Sequence, residues 1–203
     1  KPADVVLAKG AVELLPRALE RSRLALSNAR KTSRYLLGLM VAQVVALSGF
    51  AILGMPSALS ALDMLWVNVF FVALLVLPFA KEPAEKALMQ RAPQPITQPI
   101  LDKHTLGRIV LDGSVMAAIL VGATLWQRGS AIFPPFLAQD LPLNTLVALA
   151  VGYVFFARTG EQPLVKSAPW QNPLLWGMVV LVITLQAVIV LNGDALQHIF
   201  VQM

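Results

Sequence analysis

The sequence predicts an all-α membrane protein, a five-span transmembrane helical bundle with an N-terminal amphipathic cytosolic stalk helix. Two observations lead to this fold class. Of the 203 residues, 57% are hydrophobic and 13% are charged, which is about half the charged fraction of a soluble domain. The apolar residues also fall into segments of about 20, the length that one bilayer crossing needs. A large soluble catalytic domain is therefore excluded.

The first predicted element is the stalk, residues 11–33. Its apolar positions Leu15, Leu19, Leu24 and Leu26 alternate with Arg and Glu, the pattern of an amphipathic helix. No Gly or Pro interrupts the chain between Pro16 and the first apolar span. Two interpretations stay open at this point. The segment is either a helix on the membrane surface or a continuous stalk that transmits force from a soluble domain to the bilayer.

Five apolar segments follow, with ends set by charges, Pro and Gly. We divide the chain into a cytosolic linker and stalk helix, residues 1–34, and a transmembrane domain, residues 35–203. The fourth segment is the shortest, and at about 16 residues it makes about 24 Å of helix. The predicted spans are 35–54, 62–80, 106–126, 142–157 and 172–191.

The distribution of Lys and Arg predicts the orientation. With five spans, 15 of the 16 basic residues lie on one side of the membrane, and Arg128 is the exception. The positive-inside rule makes that side cytoplasmic, so we expect the N-terminus inside and the C-terminus outside. The cytosolic connector 81–105 carries four Pro residues and is predicted to be stiff and extended.

Composition also limits the partners and cofactors. The chain has no Cys and two His, His104 and His198, which excludes disulfide frameworks, thiolate catalysis and zinc ribbons. A net charge of +5 in so hydrophobic a chain indicates loops beside anionic lipid. We therefore expect the lipid bilayer as a partner and no nucleic acid. No cofactor is expected in this chain. Because it begins at Lys1, we expect a fragment of a longer protein. The absence of eukaryotic targeting features leads us to expect a bacterial inner membrane.

A series of short motifs then resembles the P-type ATPases, in the branch of the calcium and sodium/potassium pumps. The similarity runs from the segment before the family's fifth transmembrane helix to its ninth. The motifs are ADVVL (3–7), ALERSR (18–23), NARK (28–31), RYLL (34–37), LWVN (65–68), EP (82–83), QRAP (90–93), GEQPL (160–164) and LQHIF (196–200).

This resemblance implies the function and the partners. The chain would be the membrane part of an ATP-driven cation pump, and ATP and Mg²⁺ would act in the parent protein. The missing partners would be the first four helices and the phosphorylation, nucleotide and actuator domains. Whether the chain belongs to an active enzyme stays open, because it lacks the phosphorylation and nucleotide domains itself. The alternatives are a non-catalytic membrane module or degenerate pump relic, and an unrelated five-span permease.

The resemblance also implies where an ion would bind. The family's cation-binding positions fall at Met40 and Gln43 in the first span, at Asn68, Phe71 and Val72 in the second, and near Ala150 in the fourth. Of these side chains, Gln43 and Asn68 alone carry an oxygen. The metal, if one binds, stays unknown.

The loss of carboxylates argues against calcium. Ca²⁺ takes six to eight oxygen ligands, several of them usually charged, and an uncompensated dication inside the membrane costs several kcal/mol or more. A monovalent ion, a polar solute or a lipid headgroup fits two amides better. Equally, Gln43 and Asn68 can form an interhelical hydrogen bond with no ion involved. We expect Asp112 to pair with Arg108 four residues earlier in the same helix.

Overall fold

The computed structural model describes residues 14–55, 58–84, 101–129, 140–159 and 169–192. Within these ranges the chain is helical and contains no strand. Five helices are long and apolar enough to cross a membrane. The predicted fold class is therefore confirmed. Most of the predicted Pro-rich connector, residues 85–100, lies outside the described ranges.

The first helix, α1, is one unbroken element of 38 residues, Leu15–Ile52. Pro16 lies in its first turn, where a missing N–H costs nothing. At 1.5 Å per residue the helix is about 57 Å long, while the hydrocarbon core is about 30 Å thick. About half of α1 therefore extends beyond the bilayer, so the stalk and the first span form a single rod.

The second span consists of three helical pieces in direct succession. An α-helical turn, α2 (Ala61–Trp66), is followed by a π-helical segment (Val67–Val72) and by α3 (Ala73–Ala80). The span begins at a capping box in which the Ser60 and Asp63 side chains each accept from the other's backbone N–H. These bonds satisfy two N–H groups that the helix leaves free at its start.

The last three spans are regular. They are α4 (Lys103–Gly129), α5 (Leu141–Arg158) and α6 (Pro173–Leu191), with a 3₁₀ turn at Pro169–Gln171 before the last. Asp102 accepts a hydrogen bond from the Thr105 N–H at 3.0 Å at the start of α4. Bonds from Thr105 hold the pKa of this exposed carboxyl below its ordinary value.

Helix α1 forms the centre of the bundle. It packs most extensively against α4 and also contacts α3 and α5, while α6 packs against α3. Its buried face follows the helical period through Tyr35, Leu39, Ala42, Ala46 and Phe50. These five side chains belong to one core cluster with residues of the other spans. The core is thus built around the same helix that leaves the membrane as the stalk.

Two glycines allow the helices to approach closely. A Cβ atom on Gly113 of α4 would lie 2.7 Å from the Val41 Cβ and 2.8 Å from the Gly38 carbonyl oxygen of α1. A Cβ atom on Gly38 would collide with the ring of Tyr153 of α5. Small residues at such crossings are how membrane helices come into backbone contact. Gly38 and Gly113 therefore set the spacing of α1, α4 and α5.

Candidate ion-translocation site

Gln43 and Asn68, the two predicted site residues with side-chain oxygens, are brought together. The Asn68 amide nitrogen donates to the Gln43 Oε1 at 3.1 Å, and the Gln43 amide nitrogen donates to the Asn68 Oδ1 at 3.3 Å. The pair links α1 to the π-helical segment of the second span. Gln43 is 8% exposed and Asn68 is partly buried, so the two amides face each other between the helices.

The backbone around Asn68 is irregular. Asn68 lies in the π-helical segment, and its amide nitrogen also donates to the Met64 carbonyl oxygen one turn earlier, at 2.8 Å. Single π-helical turns are rare and occur often at functional sites, because they change which carbonyls are bonded within the helix. No sequence pattern indicated this segment, since it lacks Pro and Gly.

The other predicted site residues contribute no polar side chain. Phe71 and Val72 are buried in the core, with the Phe71 ring edge-on to Trp66 at 6.0 Å between ring centres. Met40 is 56% exposed and points away from the core that encloses the other predicted positions. Ala150 is buried, and its carbonyl oxygen accepts from the Tyr35 hydroxyl at 3.3 Å. Only the amide pair therefore offers side-chain ligands among the six positions.

The site has little charge around it. Between residues 35 and 80 the sequence holds one ionisable acid, Asp63, and it is engaged in the cap at the start of α2. Among the described residues, no group of three or more His, Cys, Asp or Glu side chains is arranged to hold a metal ion. The ligands that the described part of the site can present to an ion are neutral amide and backbone oxygens.

Asp112 does not pair with Arg108 as the sequence pattern indicated. Its carboxylate instead contacts the Arg34 guanidinium of α1 at 2.7 Å. The Tyr153 hydroxyl lies 3.3 Å from the same Asp112 oxygen and 3.3 Å from the Arg34 carbonyl oxygen. The prediction was wrong because α1 and α4 come into backbone contact at Gly113, next to Asp112 in sequence, and so bring Arg34 within reach.

A second polar cluster joins four elements at the opposite end of the second span from Asp63. Glu82 accepts two hydrogen bonds on one oxygen from Arg158, at 2.7 and 3.0 Å, and one on the other from Asn172, at 2.9 Å. The Asn28 amide donates to the Glu82 carbonyl oxygen at 3.2 Å. All four side chains are at least 92% buried. We call these four residues the Glu82 cluster.

The Glu82 cluster ties the stalk to the spans. Asn28 comes from the stalk part of α1, Glu82 follows α3, and Arg158 ends α5. Asn172 caps the N-terminus of α6 through its oxygen and donates to the Pro78 carbonyl oxygen at 3.0 Å. No sequence pattern predicted a role for these residues. Their pairing could have been suspected because Glu82 and Arg158 carry opposite charges and lie at the ends of two spans, on the same predicted side of the membrane.

Comparison with known proteins agrees with this architecture. The family described as "Cation transporting ATPase, C-terminus" matches residues 56–202. A curated relative, "Endoplasmic reticulum calcium ATPase srcA" of Aspergillus fumigatus, is 25% identical over 213 aligned residues that cover 90% of this chain. The alignment covers 22% of the relative, so the chain spans about a fifth of the length of that protein.

The match covers well over half of the chain and includes the four spans after α1. Together with five apolar helices of membrane-crossing length, it establishes a multi-pass integral membrane protein. The motifs that resembled the P-type pumps in the sequence agree with this result. The chain belongs to the C-terminal family of cation-transporting ATPases and corresponds to a C-terminal transmembrane region of a P-type ATPase.

Proposed function

We propose that this chain forms part of the translocation pathway of an ATP-driven cation pump, and that the path passes between α1 and the π-helical segment at Gln43 and Asn68. The observation that carries this proposal is the pairing of the two amides across the first two spans at an irregular part of the helix. Polar side chains between membrane helices are costly and are often functional.

The pair as it stands is closed. Each amide oxygen accepts a hydrogen bond from the other amide nitrogen, so an ion enters only when the pair separates. Once apart, the two oxygens and nearby carbonyls of the π-helical segment supply neutral ligands. Neutral oxygens compensate a single charge more fully than a double one, which supports a monovalent cation or a polar solute as the transported species.

The same hydrogen bonds support a second candidate function. A reciprocal amide pair ties two membrane helices together and is worth about 0.6–2 kcal/mol without any ion. In that case the chain is a membrane module that kept the scaffold of a pump and lost its ion chemistry. The two functions differ in one measurable respect, since only the first makes the substrate requirement depend on Gln43 and Asn68.

The energy would come from domains outside this chain. We propose that the parent pump hydrolyses ATP with Mg²⁺. We also propose that it contains, besides this chain, the first four helices and the actuator, phosphorylation and nucleotide domains. Helix α1 supports this, because one continuous rod runs from the predicted cytosolic side to Gln43. The movement of a soluble domain against the stalk would thus reach the amide pair directly.

Removal of either amide tests the proposed path. Gln43→Leu and Asn68→Leu should each raise the concentration of ion or solute needed for half-maximal activation by about 5- to 150-fold. The reason is that a buried ligand lost without replacement costs about 1–3 kcal/mol. The measurement is the activation of ATP hydrolysis by candidate ions in the reconstituted complete pump. Asn192→Leu is the matched control, because this exposed amide bonds to its own helix.

If the amides only tie the helices together, the result differs. Both leucine variants would then lower the thermal stability of the pump and leave the concentration dependence of the activating ion unchanged. That outcome would exclude Gln43 and Asn68 from the path and favour the second candidate function.

The orientation is proposed from the distribution of basic residues, and the assignment to a bacterial inner membrane stays a prediction. The chain lacks Cys, so single Cys residues can report on each side. Ser22→Cys in the stalk and His104→Cys at the start of α4 should resist a membrane-impermeant thiol reagent in intact cells, while Asn192→Cys should react. Labelling of Ser22→Cys in intact cells would show that the stalk lies outside the cell and would contradict the proposed orientation.

A further inference from the structure

A groove of about 570 Å³ lies between α5 and α6, near the end of the bundle where α5 begins and α6 ends. Two of its lining side chains are amides, Asn144 and Gln186, and the other lining side chains are aliphatic. None of the residues that line it is charged. The groove is therefore apolar except for the Asn144 and Gln186 amides, which we call its polar point.

The polar point is incompletely bonded. The Gln186 amide nitrogen donates to the Asn144 Oδ1 at 2.5 Å. The Gln186 Oε1 is buried and accepts no hydrogen bond from the described residues, and the Gln186 residue is 9% exposed. A buried amide oxygen without a donor destabilises the folded protein, because its bond to water is lost and not replaced. Because this oxygen is enclosed, a hydroxyl in the groove reaches it once the Gln186 amide turns toward the groove, and the new hydrogen bond would then satisfy the oxygen.

The position of the amides along the helices fits such a molecule. Gln186 lies five residues before the end of α6 and Asn144 three residues after the start of α5, which is about 5–8 Å from the helix ends. The polar point is thus near the level at which lipid headgroups meet the hydrocarbon. The aliphatic lining continues deeper along Val151 and Ile183, where an acyl chain would lie.

We propose that this groove binds an uncharged, hydroxyl-bearing amphiphile from the bilayer, whose hydroxyl donates to the Gln186 Oε1 and whose apolar body packs along Val147, Val151 and Ile183. A charged headgroup does not fit, because no lining residue would compensate its charge. The site is separate from the proposed ion path, which runs between α1 and the second span.

A photoreactive lipid tests the proposal on the complete pump in lipid nanodiscs. The probe is a hexadecanol with a diazirine in its chain, compared with its methyl ether, which lacks the donating hydrogen. We expect the alcohol to label peptides that contain Val147, Val151 or Ile183. The ether should label them about fivefold less, the factor that one lost hydrogen bond of about 1 kcal/mol gives.

Variants of the groove provide a second test of the proposal. Gln186→Leu should reduce labelling by the alcohol about fivefold, and the ether should label both forms equally. Thr184→Val is the control, because Thr184 is exposed, bonds to the Val180 carbonyl of its own helix and does not line the groove. Equal labelling of the wild-type groove by alcohol and ether would overturn the proposal. So would the absence of groove labelling, which would show that another segment or a second copy occupies the groove.

Discussion

Replacement of Arg158 by leucine is expected to destabilise the protein by about 3–5 kcal/mol, the usual cost of leaving one partner of a buried ion pair uncompensated. Arg158 is 4% exposed and makes two hydrogen bonds to one oxygen of Glu82. Without the guanidinium, the one hydrogen bond that the described residues still give the Glu82 carboxylate is that from Asn172 on its other oxygen. The measurement is the thermal unfolding midpoint of the complete protein in nanodiscs.

A matched substitution separates the ion pair from the general effect of removing an arginine. Arg128 is exposed at the end of α4, so Arg128→Leu should change stability by no more than about 0.5 kcal/mol. Adding Glu82→Gln to Arg158→Leu should recover part of the loss, because the unpaired charge is gone. Equal midpoints for Arg158→Leu and Arg128→Leu would show that the Glu82 cluster does not hold the spans together.

A break in the stalk is the second large effect. Ala29→Pro should cost about 3 kcal/mol or more locally, because proline removes the hydrogen bond to the Ala25 carbonyl and its ring clashes with that group. Ala29 is exposed, so the substitution leaves the core unchanged, and the neighbouring Asn28 keeps its side chain. We expect ATP hydrolysis to continue while ion transport per ATP falls, since α1 is no longer one rod.

The readout is the ratio of transported ion to hydrolysed ATP in proteoliposomes. Ala29→Gly serves as the control, because glycine costs about 1 kcal/mol in a helix interior without removing a backbone N–H. It should keep a ratio close to that of the wild type. An unchanged ratio in Ala29→Pro would contradict the role of α1 in transmitting force.

The spans and the long first helix could be predicted because their causes are local. Charges, Pro and Gly punctuate the apolar segments, and the only proline in the described part of α1, Pro16, falls in the first turn, where a helix tolerates it. Between Pro16 and Gln43 the sequence has no further proline that would end the helix. Hydropathy and helix geometry were therefore sufficient to predict the fold class.

The polar contacts between helices depended on packing that the sequence does not reveal. The local rule paired Asp112 with Arg108, but the close approach at Gly113 favours Arg34 on another helix. The Glu82 cluster joins residues 54 to 90 positions apart in sequence. By contrast, Gln43 and Asn68 were identified as a pair because they are the polar side chains among the family's ion-binding positions.

We propose an ion path at Gln43 and Asn68, where the described residues present no carboxylate, and we therefore expect that the complete protein does not bind calcium. Equilibrium binding of radioactive Ca²⁺ to the purified complete protein tests it directly, at about 10 µM free calcium, where sites in calcium sensors are at least half filled. We expect no saturable binding by the wild type and a gain of binding when Gln43→Glu and Asn68→Asp are combined. Saturable, stoichiometric calcium binding by the wild type that is lost in Gln43→Leu would contradict the account.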